Sequence, residues 1–360
     1  MGLFHHGAEN KTCPVKTLSN PEQVKYSNGM SFHEMAVIGA GAMTAFASLI
    51  SFFLIMKHAT HYSVPREQKH IIRIITVIPV LAIISFLAVV SESAAQYLTP
   101  PLTNFYEAWC FASLFMLLLE FLHEDNYGRQ EFFSNKGTLK KYNSMNFMVF
   151  QFPIVSFLIF VATDITEAAG IYCVQSNKPF FAHIWITVAS MLTTTLAVTS
   201  MLRFYNATKT ELAHRKPGLK FLAFKLIVAV NFLQTTIFTF LISGNKLKPT
   251  DHYTYNDITI AIPNIITTAE MVLFSLIFLY AFRTSEYVIG KGAQIRGKEG
   301  RYMGGPLGMT ALLEAMDVRD MLYSIATAPM QCCGGNRKDF VRVTGESENI
   351  ALTSTEYGYR

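Results

Sequence analysis

The chain has 360 residues, of which 51% are hydrophobic and only 15% charged, against roughly a quarter charged in soluble domains. Its formal net charge of +5 suits a protein beside anionic lipid, and its basic residues, scattered over short loops, exclude a nucleic-acid partner. Five cysteines exclude a disulfide scaffold.

Residues 1–31 are polar, with no apolar core ahead of a cleavage site. They read as an extracytosolic segment carried across by the first span. A span needs about 20 mostly apolar residues to cross about 30 Å of hydrocarbon. In chain order such stretches run Met35–Met56, Ile74–Val90 (extended by Ser91–Leu98), Phe105–Phe121, Phe147–Ala162, Ile184–Leu202, Leu219–Ser243 and Ile258–Phe282. Hydrocarbon leaves backbone groups no partners but their own helix. The expected fold is therefore an all-α membrane protein, a seven-transmembrane helix bundle over 32–290. Pro79, Pro153 and Pro263 fall inside spans and are expected to kink them. Span 1 carries Gly39, Gly41, Ala42, Ala45 and Ala47, a face for close helix packing. Thr and Ser residues from Thr187 to Ser200 in span 5 can bond across helices or back to their own carbonyls, and read as packing residues before ligand contacts.

Orientation follows from Lys and Arg. Lys57, Arg66, Lys69, Arg73, Arg129, Lys136, Lys140, Lys141, Arg203, Lys209, Arg215, Lys216 and Lys220 lie in three alternate loops, against Lys178, Lys246 and Lys248 in the others. The N-terminus is expected outside and the C-terminus in the cytosol. Asn10 of Asn10-Lys11-Thr12 is then a candidate glycosylation site. Cys13 and Cys173, both outside, are a candidate disulfide, with free thiols nearly as well supported.

A charge at the bilayer centre costs at least about 2.5 kcal/mol, so it faces the bundle interior with a partner. Glu107, Lys225 and Glu270, with Asn231, Gln234 and Asn264, are the candidate substrate-pathway residues. At about 1.5 Å per residue, Glu270 falls roughly 20 Å below the outer surface, level with Lys225. Glu107 and Gln234 both fall about 6–8 Å below it by the same count. Lys225–Glu270 and Glu107–Gln234 are the expected pairs, lining a polar cleft or fixing helix packing.

On the cytosolic side, His58, His61 and His70 with Arg66, Lys69 and Arg73 read as a basic collar for lipid phosphates rather than a metal site. No metal and no cofactor are expected. Residues 291–340 form a juxtamembrane segment in which Leu307–Ala326 reads as an amphipathic helix, lying on the membrane or packed under the bundle. Cys332 and Cys333 are candidate palmitoylation sites, and 341–360 reads as a disordered tail.

Several stretches together carry a resemblance. They are REQKHIIRIITVIPVLAIISF, Tyr106-Glu107-Ala108, Lys220-Phe221 followed by Lys225, Gln234, and Ala269-Glu270-Met271. In combination they resemble the organic solute transporter subunit alpha and transmembrane-protein-184 family, in a fungal-type form. The resemblance implies seven spans, the N-terminus outside, and movement of amphipathic, sterol-like solutes or lipids; the sequence shows no nucleotide-binding loop, so the expected movement is facilitated or ion-coupled. The resemblance also implies a polytopic protein of the vacuolar or other endomembrane or the plasma membrane, not an enzyme. Membrane lipids, a homodimer or a single-span partner subunit are the partners left open. The rival function is a non-transporting endomembrane scaffold or trafficking regulator. Span 7 has no lysine for a retinal Schiff base and no histidine for zinc. The end of span 3, Glu120-Phe121-Leu122-His123, lacks the acidic-arginine-aromatic triplet of a G-protein-coupled receptor.

Overall fold

The computed structural model describes residues 24–91, 95, 99–173, 178–213, 217–243, 250–289 and 301–332. Asn10, Cys13, Cys333, most of Ser91–Leu98, the tail 341–360 and the Lys225 side chain lie outside the described residues. The described residues form only helices. These are α1 (Phe32–Thr60), α2 (Pro65–Ile75), α3 (Val77–Val90), α4 (Thr99–Leu122), α5 (Asn126–Asn135), α6 (Leu139–Ala168), α7 (Ala182–Leu212), α8 (Pro217–Ser243), α9 (Ile262–Ala281), α10 (Met309–Met316) and α11 (Arg319–Cys332). Six described segments are long and apolar enough to cross a membrane: Phe32–Thr60, Pro65–Val90, Pro101–Leu122, Leu139–Ala168, Ala182–Leu212 and Asp257–Glu286. The 27-residue α8 stands beside them.

Local chemistry sets the helix ends. Ser31 and Glu34 close a capping box at the start of α1, satisfying donors that a helix N-terminus leaves open. Asp125 caps α5 by accepting from the Gly128 N–H at 2.8 Å. The three prolines act differently. Pro79 has no N–H for the Ile75 carbonyl, and the chain breaks one residue on, at Thr76, into α2 and α3. Pro153 sits inside an unbroken α6. Pro263 opens α9 directly after a π turn, Asp257–Ala261, in which the Ile262 N–H reaches back to the Asp257 carbonyl. Such turns move one backbone group out of the i−4 ladder.

The core is centred on α4. Ala108, Cys110, Ala112, Leu114, Phe115, Leu117 and Leu118 are all buried. Phe115 meets Phe150 of α6 and Phe204 of α7 edge-on at 5.5 and 5.0 Å. In lipid these contacts act through shape rather than water exclusion. On α1 the packing face is Ala36, Ala40, Thr44, Ala47 and Ser51, with Gly41 against Phe86. Ala42 and Ala45 are exposed and Gly39 faces open space, so the expected small-residue face is rotated. In α7, Thr187, Thr193 and Thr199 bond back to carbonyls of their own helix, the second of the two alternatives open to them. A threonine hydroxyl bonds its own helix one turn back at no ordering cost to a neighbour.

The basic collar is also corrected. His58, His70 and Arg73 are buried. The His58 Nε2 donates to the Phe282 carbonyl at 2.9 Å. Arg73 receives the C-terminal tail: its Nη1 and Nη2 meet both Asp320 oxygens at 3.1 and 2.9 Å, and its Nε meets the Ala315 carbonyl at 2.8 Å. Lys69 joins Asp320 at 2.8 Å. Burial opposes ionisation of Asp320, but the Arg73 hydrogen bonds and the Lys69, His70 and Arg73 charges hold its carboxyl well below the usual carboxylate range. The Tyr62 hydroxyl donates to Glu314 at 2.8 Å, and burial together with that carboxylate raises the phenol's pKa. Asn143 and Asn146 of α6 donate to the carbonyl and side chain of Gln331. The single amphipathic helix expected over Leu307–Ala326 is instead two, broken at Asp317–Val318.

Gly308, at φ +81°, presses the tail onto the last turn of α1. A Cβ there would lie 2.7 Å from the Ala59 Cβ and 2.9 Å from its carbonyl carbon. Gly308→Ala therefore meets both an αL penalty of about 1–2 kcal/mol and a backbone clash. The expected outcome is faster hydrogen exchange across α10, with α4 unchanged.

Candidate functional site

The polar groups inside the membrane region converge where α8 lies between α4 and α9. One turn of α8 supplies both Asn231 and Gln234. Their i,i+3 spacing puts them on one side of the helix. Asn231 Nδ2 donates to Glu107 Oε1 of α4 at 3.1 Å. Gln234 Nε2 donates to the Pro263 carbonyl of α9 at 2.6 Å, and its amide also lies 3.4 Å from Thr267 Oγ1. Thr267 in turn donates to the Pro263 carbonyl at 3.1 Å. The result is a polar seam of carboxylate, two amides, a hydroxyl and a backbone carbonyl across three helices.

The seam keeps Glu107, Asn231 and Gln234 of the expected residues but changes the pairing. Glu107 meets Asn231, not Gln234. The two α8 residues are one turn apart, and rotation about the helix axis, not depth alone, decides which one faces α4. The expected Lys225–Glu270 pair falls outside the described residues, because the Lys225 side chain does. Gln234 beside Pro263 and Lys220 beside Glu286 at 3.5 Å set α8 and α9 antiparallel, with a register that puts Glu270 level with the Asn231 turn. Lys225 lies about 9 Å nearer the tail end by helical rise. Glu270 follows Thr267 at i+3, so it extends the seam by one turn. It is partly buried, and no side-chain hydrogen bond to it is found among the described residues. Asn264 donates to the Ile260 carbonyl of its own helix at 2.9 Å and takes no part in the crossing bonds.

Two contributors escaped the sequence reading. Thr267 is one of many threonines, and only its spacing of four from Pro263 singles it out. The π turn could have been sought in Asp257 placed six residues before a proline. Its end is anchored: Asp257 Oδ2 accepts from the Thr254 N–H and hydroxyl at 2.9 and 2.8 Å, and Asp257 Oδ1 stands 3.6 Å from His33 of α1. At the tail end, Lys220 is buried beside Glu286 and over the Phe121 ring at 5.5 Å. The tail end of the α8–α9 pair is thus clamped by Lys220 and Glu286, and the π turn that opens α9 is anchored to its own loop and to α1.

Chemically the seam offers hydrogen-bond acceptors and donors in hydrocarbon, where hydroxyl and amide groups of a solute find few other partners. Among the described residues no group of His, Cys, Asp and Glu could hold a metal. Cys173 is disulfide-bonded, while Cys110 is a buried thiol and Cys332 an exposed one.

The model of the organic solute transporter Ostalpha family matches residues 36–287. This chain belongs to that family. The matched region takes in the whole seam and stops short of α10 and α11. Among the relatives of this Ostalpha member is a transmembrane protein 184 homolog of Dictyostelium discoideum, 28% identical over 71% of this chain and 54% of the relative. Vacuole membrane proteins of Schizosaccharomyces pombe and Saccharomyces cerevisiae are each 25% identical, covering 69% and 67% of this chain and 61% and 60% of their own. The chain spans between about half and three fifths of the length of these curated relatives. No solved structure matches. The resemblance read from the sequence holds, and the chain is a multi-pass membrane protein.

Proposed function

We propose that this chain is a seven-span carrier that moves amphipathic organic solutes or lipids, sterol-like in shape, along the α4–α8–α9 seam. The observation that carries the reading is the seam itself. Hydrocarbon makes a carboxylate expensive, yet Glu270 sits one turn from Thr267 without a hydrogen-bond partner among the described residues. A carboxylate that only fixed helix packing would gain most from a partner on a neighbouring helix. The family match supports an organic solute, and the named vacuole relatives support a vacuolar or other endomembrane location. The asymmetry of Lys and Arg supports an N-terminus outside and a cytosolic tail, with α8 as one of the crossings. The same orientation leaves Asn10 open to glycosylation and Cys13 to oxidation.

Proteoliposomes loaded with a labelled sterol derivative test the proposal. Wild-type chain accelerates exchange over empty liposomes, and Glu270→Gln cuts the rate about tenfold or more, equivalent to at least about 1.4 kcal/mol on the barrier, at unchanged thermal stability. Equal rates for wild type and variant would remove the seam from the pathway.

A second reading, a non-transporting endomembrane scaffold, is favoured by one observation. The tail is a folded two-helix unit held on the bundle, as a platform for other proteins would be. No exchange above empty liposomes, with cytosolic proteins bound to residues 301–332, is the outcome that favours it.

A further inference from the structure

The tail is amphipathic in the reverse sense to a surface helix of a soluble protein. A water-facing helix turns its apolar stripe inward. Here the polar groups point into the protein: Glu314 to Tyr62, Asp320 to Lys69 and Arg73, Gln331 to Asn143 and Asn146. Most of the buried residues beside them are small, Ala311, Ala315, Thr327 and Ala328 among them. The large apolar side chains point away. Leu307 is 82% exposed, Met316 77% and Leu313 64%, and Leu322 and Met330 follow on α11. Met309, Leu313 and Met316 recur at helical spacing on α10, and Val318, Leu322, Ala326 and Met330 recur every four residues. Each helix therefore presents one continuous apolar stripe outward, a pattern unfavourable against water.

The position of the stripes identifies what covers them. Gly308 abuts Ala59 in the last turn of α1, Arg73 stands at the foot of the α2–α3 span, and Asn143 and Asn146 lie in the first turns of α6. All three mark the same end of the membrane-spanning segments. The exposed Phe52 and Phe53 of α1 lie about two turns above Ala59, so the apolar surface of the tail continues the lipid-facing surface of the bundle. We propose that α10 and α11 lie in the tail-side leaflet, their outer apolar stripes among the acyl chains and their polar face on the bundle. The tail is then a membrane-interface collar. The two earlier alternatives, lying on the membrane and packing under the bundle, become the two faces of one element. Arg319, 86% exposed at the joint between the helices, marks where the collar surfaces into water, as a charged residue at an interface does.

Nitroxide scanning of the full chain in nanodiscs of phosphatidylcholine and phosphatidylserine tests this. Labels are placed through Leu313→Cys, Leu322→Cys and Arg319→Cys in a Cys332→Ser, Cys333→Ser background. Expected at 313 and 322 are high collision rates with oxygen and low rates with a water-soluble nickel chelate, with the order reversed at 319. Apart from the scaffold belt at their rim, these discs contain only lipid and this chain, so a face built for a protein partner would stay open to nickel. Nickel accessibility at 313 and 322 equal to that at 319 would overturn the proposal. A second measurement needs no label on the tail. Lipids brominated in their acyl chains should slow hydrogen–deuterium exchange in α10 and α11 no less than ordinary lipids do, whereas detergent lacking a bilayer should speed it. Exchange in α10 and α11 unaffected by removing the bilayer would also count against the collar.

Discussion

Replacing Arg73 with methionine should release the tail from the bundle. Arg73 is 6% exposed and Asp320 23%. The guanidinium holds Asp320 with two nitrogens and also takes the Ala315 and Asp317 carbonyls. Removing one partner of a buried, hydrogen-bonded pair costs about 3–5 kcal/mol. Lys69 stays beside Asp320 and the site is partly wet, so an effect of about 2–3 kcal/mol is expected here. Hydrogen exchange in α10 and α11 should then rise by roughly 30- to 150-fold through local opening, while α4 and α6 exchange as before. Unchanged exchange would mean that the Tyr62–Glu314 and Asn146–Gln331 bonds alone hold the tail. The pH dependence follows from Asp320. Its folded-state pKa lies below the ordinary value, so its contribution is complete above about pH 4 and is lost as pH falls through the depressed value. The docked tail should be insensitive to pH from neutrality down to about 4 and loosen only below that. In Arg73→Met that acid step should shrink.

The second large effect is expected at Asn231. Asn231→Leu removes the amide that donates to Glu107 and leaves that carboxylate in an apolar setting with no other hydrogen-bond partner among the described residues. A hydrogen bond to a carboxylate is worth about 1.5–3 kcal/mol, and an unsatisfied buried acceptor adds its desolvation cost. Both thermal stability and solute exchange should fall. Asn264→Leu is the control, because Asn264 bonds only the carbonyl four residues back on its own helix and should change either quantity little. Equal losses in the two variants would show that polarity in general, and not the α4–α8 crossing, holds the seam.

Hydropathy makes the helices legible because hydrocarbon imposes a length. The uncharged run Met35–Met56 is enough to place α1, and the run Ile184–Leu202 to place α7. The membrane-embedded polar residues were legible for the same reason: Glu107, Asn231, Gln234 and Glu270 stand out against apolar neighbours. Their partners were not. Counting residues gives depth, at about 1.5 Å each, but each residue also turns the helix by about 100°. That rotation gave Glu107 to Asn231 rather than to Gln234 three residues on. The α8–α9 register is illegible for a related cause, since the π turn before Pro263 cannot be read from where each apolar run begins.

The tail misled for a different reason. An amphipathic pattern shows that Leu313 and Glu314 take opposite sides, not which side meets the protein. Arg73 decides that, from a position some 240 residues earlier in the chain. Its charge, one of several in a loop, reads alone as a lipid-phosphate ligand. Only the folded chain shows it enclosed by the carbonyls and carboxylate of the tail.

The central claim is that an amphipathic solute meets the α4–α8–α9 seam, and photolabelling tests it most directly. A sterol carrying a diazirine is equilibrated with the full chain in nanodiscs, irradiated, and its sites of attachment are mapped by mass spectrometry. Attachment concentrated on the peptides holding Asn231–Gln234 and Pro263–Glu270, and displaced by excess unlabelled sterol, is the result expected. Attachment spread without saturation over the lipid-facing residues of α1 and α7, such as Leu49 and Trp185, with the seam peptides bare, would contradict it.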